Sequence, residues 1–152
     1  MKILRGDLIE LAKDGHFDVI VHGCNCFCMM GAGIAAQIAR EFPQAKIIDR
    51  LTTGGSREKL GEITTAVCQG STGPIVVVNA YTQYRYERHV LQVNYESLRN
   101  CFTRVRKLFR NHKIGYPKIG AGLAGGDWDI IKDIIDSELE GMDHTLVVWD
   151  KE

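Results

Sequence analysis

The stretch Val19-Ile20-Val21-His22-Gly23-Cys24-Asn25-Cys26-Phe27-Cys28-Met29-Met30-Gly31-Ala32-Gly33-Ile34-Ala35-Ala36-Gln37-Ile38-Ala39-Arg40-Glu41-Phe42 decides the fold. Its β-branched opening suits a pleated, covered surface, and a buried strand is expected over Phe17–Val21. From Gly33 the apolar positions Ile34, Ile38 and Phe42 recur at helical spacing, which predicts a helix over Gly33–Phe42 stopped by Pro43. Between the two lies a long loop that holds Asn25 and ends in Gly31-Ala32-Gly33. A helix N-terminus has free backbone N–H groups and a partial positive charge, so it attracts phosphate. Glycines at positions 31 and 33 let an anion approach the backbone closely. The stretch therefore implies a phosphate-bearing ligand, with plain turn chemistry as the competing reading.

The dinucleotide fingerprint fits poorly. It needs a glycine directly after the strand and an acid roughly 20 residues on. Here eight residues separate His22 from Gly31, Ala36 stands for the last glycine, and position 51 is Leu with Asp49 only nearby. A nicotinamide-binding Rossmann domain is not expected.

The chain of 152 residues is long enough to bury a real core, and it reads as one domain over 1–152 without repeat, linker or low-complexity tract. Lys plus Arg equals Asp plus Glu at 19 each, so no bulk charge draws it to nucleic acid or membrane. No run approaches the roughly 18 apolar residues of a membrane span, and the first five residues lack a signal-peptide apolar region. An odd set of five scattered cysteines fits a reducing compartment, so a cytosolic setting is expected. His22, Cys24, Cys26 and Cys28 alternate and raise the question of zinc. Alternate strand residues sit about 6.6 Å apart, whereas zinc draws sulfur to about 2.3 Å, so one extended segment cannot converge four ligands. No metal or other cofactor is expected.

Along the chain, strands are expected at Lys2–Arg5, Glu62–Gln69, Pro74–Tyr81, Lys113–Ile119 and Thr145–Trp149. Helices are expected at Leu8–Lys13, Gln44–Leu51, His89–Asn111 and Trp128–Leu139. The four-residue link Gly70-Ser71-Thr72-Gly73 implies an antiparallel hairpin. Leu91, Tyr95, Leu98, Phe102, Val105 and Phe109 form the core stripe of the longest helix, with its basic residues on a solvated face. Asp7 and Asp127 are good helix N-caps. Strands alternating with helices, plus one hairpin, give a mixed sheet covered on both faces.

A second glycine loop, Gly120-Ala121-Gly122-Leu123-Ala124-Gly125-Gly126, also leads from a strand into a helix. Ligands of open α/β sheets bind beyond the carboxyl ends of strands, and two such loops could clasp a pyrophosphate from both sides. Gly6-Asp7-Leu8, Asn25 before Met30-Gly31-Ala32-Gly33-Ile34-Ala35, and Lys118-Ile119-Gly120-Ala121-Gly122-Leu123 before Trp128 together resemble a macro domain. The resemblance is closest to the branch containing the terminal ADP-ribose protein glycohydrolase, and it spans nearly the whole chain. It implies a three-layer α/β/α fold with a mixed, mostly parallel six-stranded sheet that binds ADP-ribose in a cleft.

By resemblance, Asp7 meets the adenine amino group, Leu8 makes a neighbouring contact and Asn25 sits by the distal ribose. Met30, Gly31, Ala32, Gly33 and Ile34, with Gly120, Ala121, Gly122, Leu123 and Ala124, would cradle the phosphates. In that glycohydrolase a lysine near the end of the hairpin's second strand attacks the sugar and an acid follows the Gly-Leu pair. The matching positions here fall within Tyr81-Thr82-Gln83 and at Ala124, so a lysyl adduct is not expected. The expected reaction is removal of the terminal phosphate of ADP-ribose 1″-phosphate, with Asp127 as general base and His22 orienting water or protonating the leaving oxygen. The alternatives are a reader of ADP-ribose without chemistry, and a de-ADP-ribosylating hydrolase with a non-lysine mechanism. The partner is thus ADP-ribose or an ADP-ribosylated ligand, with no intrinsic nucleic-acid patch and no membrane.

Overall fold

The computed structural model describes residues 1–87, 91–122 and 124–150. In chain order the elements are β1 (Lys2–Arg5), α1 (Leu8–Lys13), β2 (Val19–Cys24), α2 (Gly33–Glu41), α3 (Pro43–Arg50) and a 3₁₀ turn at Arg57–Lys59. Then come β3 (Ile63–Gln69), β4 (Pro74–Tyr81), α4 (Tyr95–Phe109), β5 (Ile114–Tyr116), α5 (Trp128–Glu138) and β6 (His144–Val148). The six strands form one sheet in the order β1-β6-β5-β2-β4-β3. Only β3 runs antiparallel, paired with β4 from Ile63↔Ala80 to Gln69↔Pro74.

Strand alternation divides the core into two layers, because successive side chains leave a strand on opposite faces. Val19 and Val21 point to the side of α4 and α5, where Leu98, Phe102, Val105, Ile131 and Ile135 pack. Ile20 points the other way, to Leu8, Ile9 and Ala12 of α1, Ile38 of α2 and Ala45 of α3. The result is the expected α/β/α sandwich. Among the described residues no helix is long and apolar enough to cross a membrane.

Several boundaries differ from the sequence reading. Strand β2 begins at Val19 and runs on to Cys24, because β4 pairs with it through Cys24↔Tyr81. Pro43 does not simply stop a helix: it takes the first position of α3, where its missing N–H is no loss. Strand β5 is only three residues long, and the chain turns away at Pro117. Helix α4 starts at Tyr95, capped by the Asn94 side chain on Ser97 N at 2.9 Å. Leu91 is 60% exposed and stands apart from the core stripe, while the expected helix start at His89 lies outside the described residues. The basic face of α4 is not merely solvated. Arg99 donates to the Glu138 carboxylate, Arg106 to the Glu138 and Glu140 carbonyls at the end of α5, and Arg104 to Glu62 and the Gly61 carbonyl.

Candidate functional site

Strands β2 and β5 are neighbours and parallel, so the two glycine loops that follow them lie side by side at one end of the sheet. They face a cleft of about 550 Å³. Asn25, Met30, Ala32, Gly33 and Ile34 line it from the β2 side, and Gly120, Ala121, Gly122 and Ala124 from the β5 side. A second hollow of about 250 Å³ continues it, sharing Gly33, Ile34, Pro117 and Lys118 as a common wall. Asp7 and Leu8 line that second hollow with Gln37 and Trp149. The sequence-predicted ligand residues therefore converge, with two exceptions. Gly31 is exposed and does not line either hollow, and Leu123 lies outside the described residues.

The first loop is held rigid by its own side chains. Asn25 Oδ1 accepts from Phe27 N at 2.9 Å and Met29 N at 3.3 Å, and Asn25 Nδ2 donates to Met29 O at 2.8 Å. Lys59, itself buried, donates its ammonium to Cys26 O at 3.1 Å and to Cys28 Sγ at 3.5 Å. Cys28 takes a positive φ of 59°, a conformation that costs a non-glycine residue energy and persists where surroundings impose it. At the end of the loop Ala32 offers no side-chain cap to α2. Gly33, Ile34 and Ala35 of the first turn of α2 line the cleft, and among the described residues no side chain caps that turn.

The second loop is closed by Gly126 N donating to Gly120 O at 2.7 Å. A Cβ at Gly126 would stand 2.6 Å from that same carbonyl and 2.5 Å from Val93, so only glycine fits. Gly120 has φ +75°, the left-handed region that glycine enters freely. Of Tyr81-Thr82-Gln83, the segment matched to the lysine of the resembled glycohydrolase, Gln83 lines the cleft while Tyr81 and Thr82 are buried, and Ala124, matched to its acid, lines the cleft as well. Among the lining residues of this cleft Lys118 supplies a cation and Asp49 the carboxylate.

The two residues expected to do chemistry are placed elsewhere. Asp127 Oδ1 accepts from Asp129 N at 2.9 Å as the N-cap of α5, and Asp127 is not among the residues lining either hollow. His22 is 0% exposed and also does not line the cleft. Burial pushes its imidazole below the usual value of 6.5, opposed by its bond to Asn79 and by the charge of Asp49. A general base on the cleft water is therefore not what either position offers. Strand β2 turns His22 inward, and Asp127 is spent on its helix.

What His22 does is anchor a buried polar chain. Asn79 Nδ2 donates to Ala45 O at 3.0 Å and to Thr64 Oγ1 at 3.1 Å, which fixes the amide's orientation. Asn79 Oδ1 must then be an acceptor, and His22 Nε2–H donates to it at 2.6 Å. Tyr81 O–H donates to Asp49 Oδ1 at 2.7 Å, so its single proton is used there and Thr64 Oγ1–H donates to Tyr81 Oη at 3.1 Å. Burial pushes the Tyr81 phenol well up, so it remains a donor. Sequence patterning missed Asp49, Cys24 and Tyr86 as lining residues. The hints were slight: an aspartate in the last turn of an apolar-faced helix, and aromatics after a strand end.

Fold and cleft together define a class. This is a three-layer α/β/α domain with a cleft beyond the carboxyl ends of two adjacent parallel strands, walled by the two glycine loops that follow them. The family model for the Macro domain matches residues 21–135, and the chain belongs to that family. It is 33% identical over 155 residues to an uncharacterized 17.5 kDa protein in the tk-vs intergenic region of Enterobacteria phage T4, covering 99% of this chain and 97% of that protein. It is 26% identical over 151 residues to a DNA ADP-ribosyl glycohydrolase of Thermus aquaticus, covering 98% of this chain but 40% of that protein. The solved macrodomain of Thermus aquaticus DarG superposes with a TM-score of 0.73 at 24% identity, covering 97% of this chain and 96% of that one.

Proposed function

We propose that this chain binds ADP-ribose across the two hollows and hydrolyses a bond at the distal ribose. The observation that carries the reading is the pair of glycine loops on β2 and β5, facing one another with the α2 N-terminus uncapped between them. Backbone N–H groups and Lys118 suit a pyrophosphate, and the hollow beyond Lys118 takes the adenosine against Asp7 and Leu8. The Asp7 carboxyl already accepts from two backbone N–H groups, so an adenine amino group adds to a carboxylate held in place by its helix. The distal ribose then lies at the other end, by Asn25, Cys24, Asp49 and Gln83. The free cysteines suit a reducing cytosol as the working compartment.

The reaction we propose first is release of phosphate from ADP-ribose 1″-phosphate. The segment Tyr81-Thr82-Gln83 supports it over lysyl-adduct chemistry, because it carries no amine to attack the sugar, and Ala124 carries no acid to assist one. A second reading, cleavage of an ADP-ribosyl bond to a larger substrate, is favoured by the DNA ADP-ribosyl glycohydrolase among the relatives. Calorimetry with ADP-ribose, AMP and NAD tests the ligand, and ADP-ribose is expected to bind tightest. Parallel assays then follow phosphate from ADP-ribose 1″-phosphate and ADP-ribose from an ADP-ribosylated oligonucleotide or protein. Intact ligand after long incubation with excess protein in every assay would make the chain a reader instead.

A further inference from the structure

We propose that Asp49 is the general base of the distal-ribose end of the cleft, set in position by the hydrogen-bond chain that runs back through Tyr81, Thr64 and Asn79 to His22. The assignment rests on the hydrolytic reading above and names the residue that would carry it. Asp49 is 1% exposed yet lines the cleft, and the cleft residues around it provide no other carboxylate. Its setting is poor for stability. It stands in the last turn of α3, at the negative end of the helix, where an anion is disfavoured. Among the described residues no Lys, Arg or His forms an ion pair with it. Lys59 directs its ammonium to the Cys26 carbonyl and to Cys28. Lys59 also lies over the Tyr81 ring at 4.7 Å, but a buried carboxylate held by a phenol, with no ion pair among the described residues, is costly to keep unless it has a task.

The hydrogen-bond chain explains how the carboxylate is aimed. Each member donates toward Asp49: His22 to Asn79, Asn79 to Thr64, Thr64 to Tyr81, Tyr81 to Oδ1. The Cys28 thiol meanwhile reaches the Asp49 carbonyl at 3.3 Å and ties the first glycine loop to the same turn of α3. Oδ1 is thus occupied, and the carboxyl group has its second oxygen to take a proton. In the step we assign, a water oxygen bonds to the phosphorus of the terminal phosphate and its proton passes to the Asp49 carboxylate. The P–O bond to the 1″ oxygen breaks with its electron pair on that oxygen, which solvent protonates. Where the scissile bond is an ADP-ribosyl bond instead, water attacks C1″, Asp49 takes the same proton and the departing group leaves with the bonding pair. Tyr81 is a positioning residue in either case.

The test measures turnover of ADP-ribose 1″-phosphate and of an ADP-ribosylated oligonucleotide, with ADP-ribose affinity and thermal unfolding recorded alongside. Asp49→Asn is expected to lower kcat by at least about 100-fold with KM and ADP-ribose affinity within about 3-fold, as removal of a general base does. Asp49→Ala with added formate is expected to regain at least about tenfold of its lost rate, since a small carboxylate fills the place of the missing one; a merely structural role gives no such rescue. Tyr81→Phe is expected to lower kcat about tenfold at unchanged KM. Wild-type protein inert on both substrates would overturn the hydrolytic reading and this assignment together. Wild-type turnover with Asp49→Asn within about 3-fold of it, in a folded and ligand-binding variant, would overturn the assignment alone. Should Asp49→Asn not fold, absence of any formate response in Asp49→Ala or full activity in Tyr81→Phe overturns it equally.

Discussion

Asp7 stands at the N-terminus of α1 and Asp49 in the last turn of α3, each on a wall of the same bipartite cleft. Asp7 is partly exposed and accepts from Ile9 N at 2.9 Å and Glu10 N at 3.2 Å, at the positive end of its helix. Asp49 is buried at a negative end and is held by one phenol. The first carboxylate stabilises the fold where it stands, and the second opposes it. A helix cap can be recruited to a ligand at no cost to folding, whereas a buried anion at a helix C-terminus is retained against folding. The two ends of the cleft are therefore expected to answer mutation with opposite signs.

The widest separation comes from neutralising both. Beside its loss of turnover, Asp49→Asn is expected to raise stability by about 1 kcal/mol, because it removes a buried charge and keeps an oxygen for Tyr81. Chemical denaturation with a constant slope would measure it. A stability loss of the same size would break the comparison and make Asp49 a structural group. Asp7→Ala is expected to lower stability by about 1 kcal/mol, the usual worth of an N-cap. It also weakens the preference for ADP-ribose over a ligand without adenine, while Asp7→Asn keeps the cap and retains stability. Calorimetry and denaturation on the same samples separate the two roles.

Asp127 sharpens the comparison, because its geometry is that of Asp7 without the cleft. Its side chain accepts from Asp129 N, and its own N–H donates to Tyr95 Oη at 3.0 Å. Asp127→Asn is expected to keep both turnover and melting temperature close to wild type, and Asp127→Ala to lower the melting temperature alone. A turnover loss of about 100-fold in Asp127→Asn would return the general base to the second loop.

These contrasts also mark what the sequence can and cannot convey. The β-branched runs, the glycine pairs and the proline at position 43 act through local geometry, so the layers, the hairpin and both loops were readable from them. Convergence of Asn25, Gly33, Gly120 and Ala124 followed once β2 and β5 were neighbours. Asp49 was unreadable because its environment is built by Tyr81 on another strand, thirty-two positions away in the chain. His22 was misread for a related reason: nearness in sequence to the glycine loop suggested the cleft, but strand alternation sends Val21 and Gly23 one way and His22 the other. The start of α4 failed locally, since apolar spacing at Leu91 matched a helix that Asn94 in fact opens.

The smallest effect tests the far end of the chain that orients Asp49. Burial holds the His22 imidazole below 6.5, so the native protein keeps it neutral where the unfolded chain begins to take up a proton. The sign follows directly. Above about pH 6.5 both states are neutral and the stabilisation is complete, and it is lost as pH falls through that value toward the lowered native one. His144, also buried and also lowered, titrates in the same sense and gives the wild type a second contribution. Gln at position 22 can still donate an amide proton to Asn79 Oδ1 but has no imidazole to charge. His22→Gln is therefore expected to flatten the fall in stability between about pH 6.5 and pH 5 by up to about 1.4 kcal/mol per pH unit, leaving the part due to His144. Melting curves across that range measure the slope. An unchanged slope would mean that His22 takes up its proton alike in the folded and unfolded chain, and would overturn burial as the cause of its lowered value. The direction of the Asn79–Thr64–Tyr81 chain is fixed by the Asn79 amide in either case, since Nε2–H donates to Asn79 Oδ1 from a neutral or a charged ring.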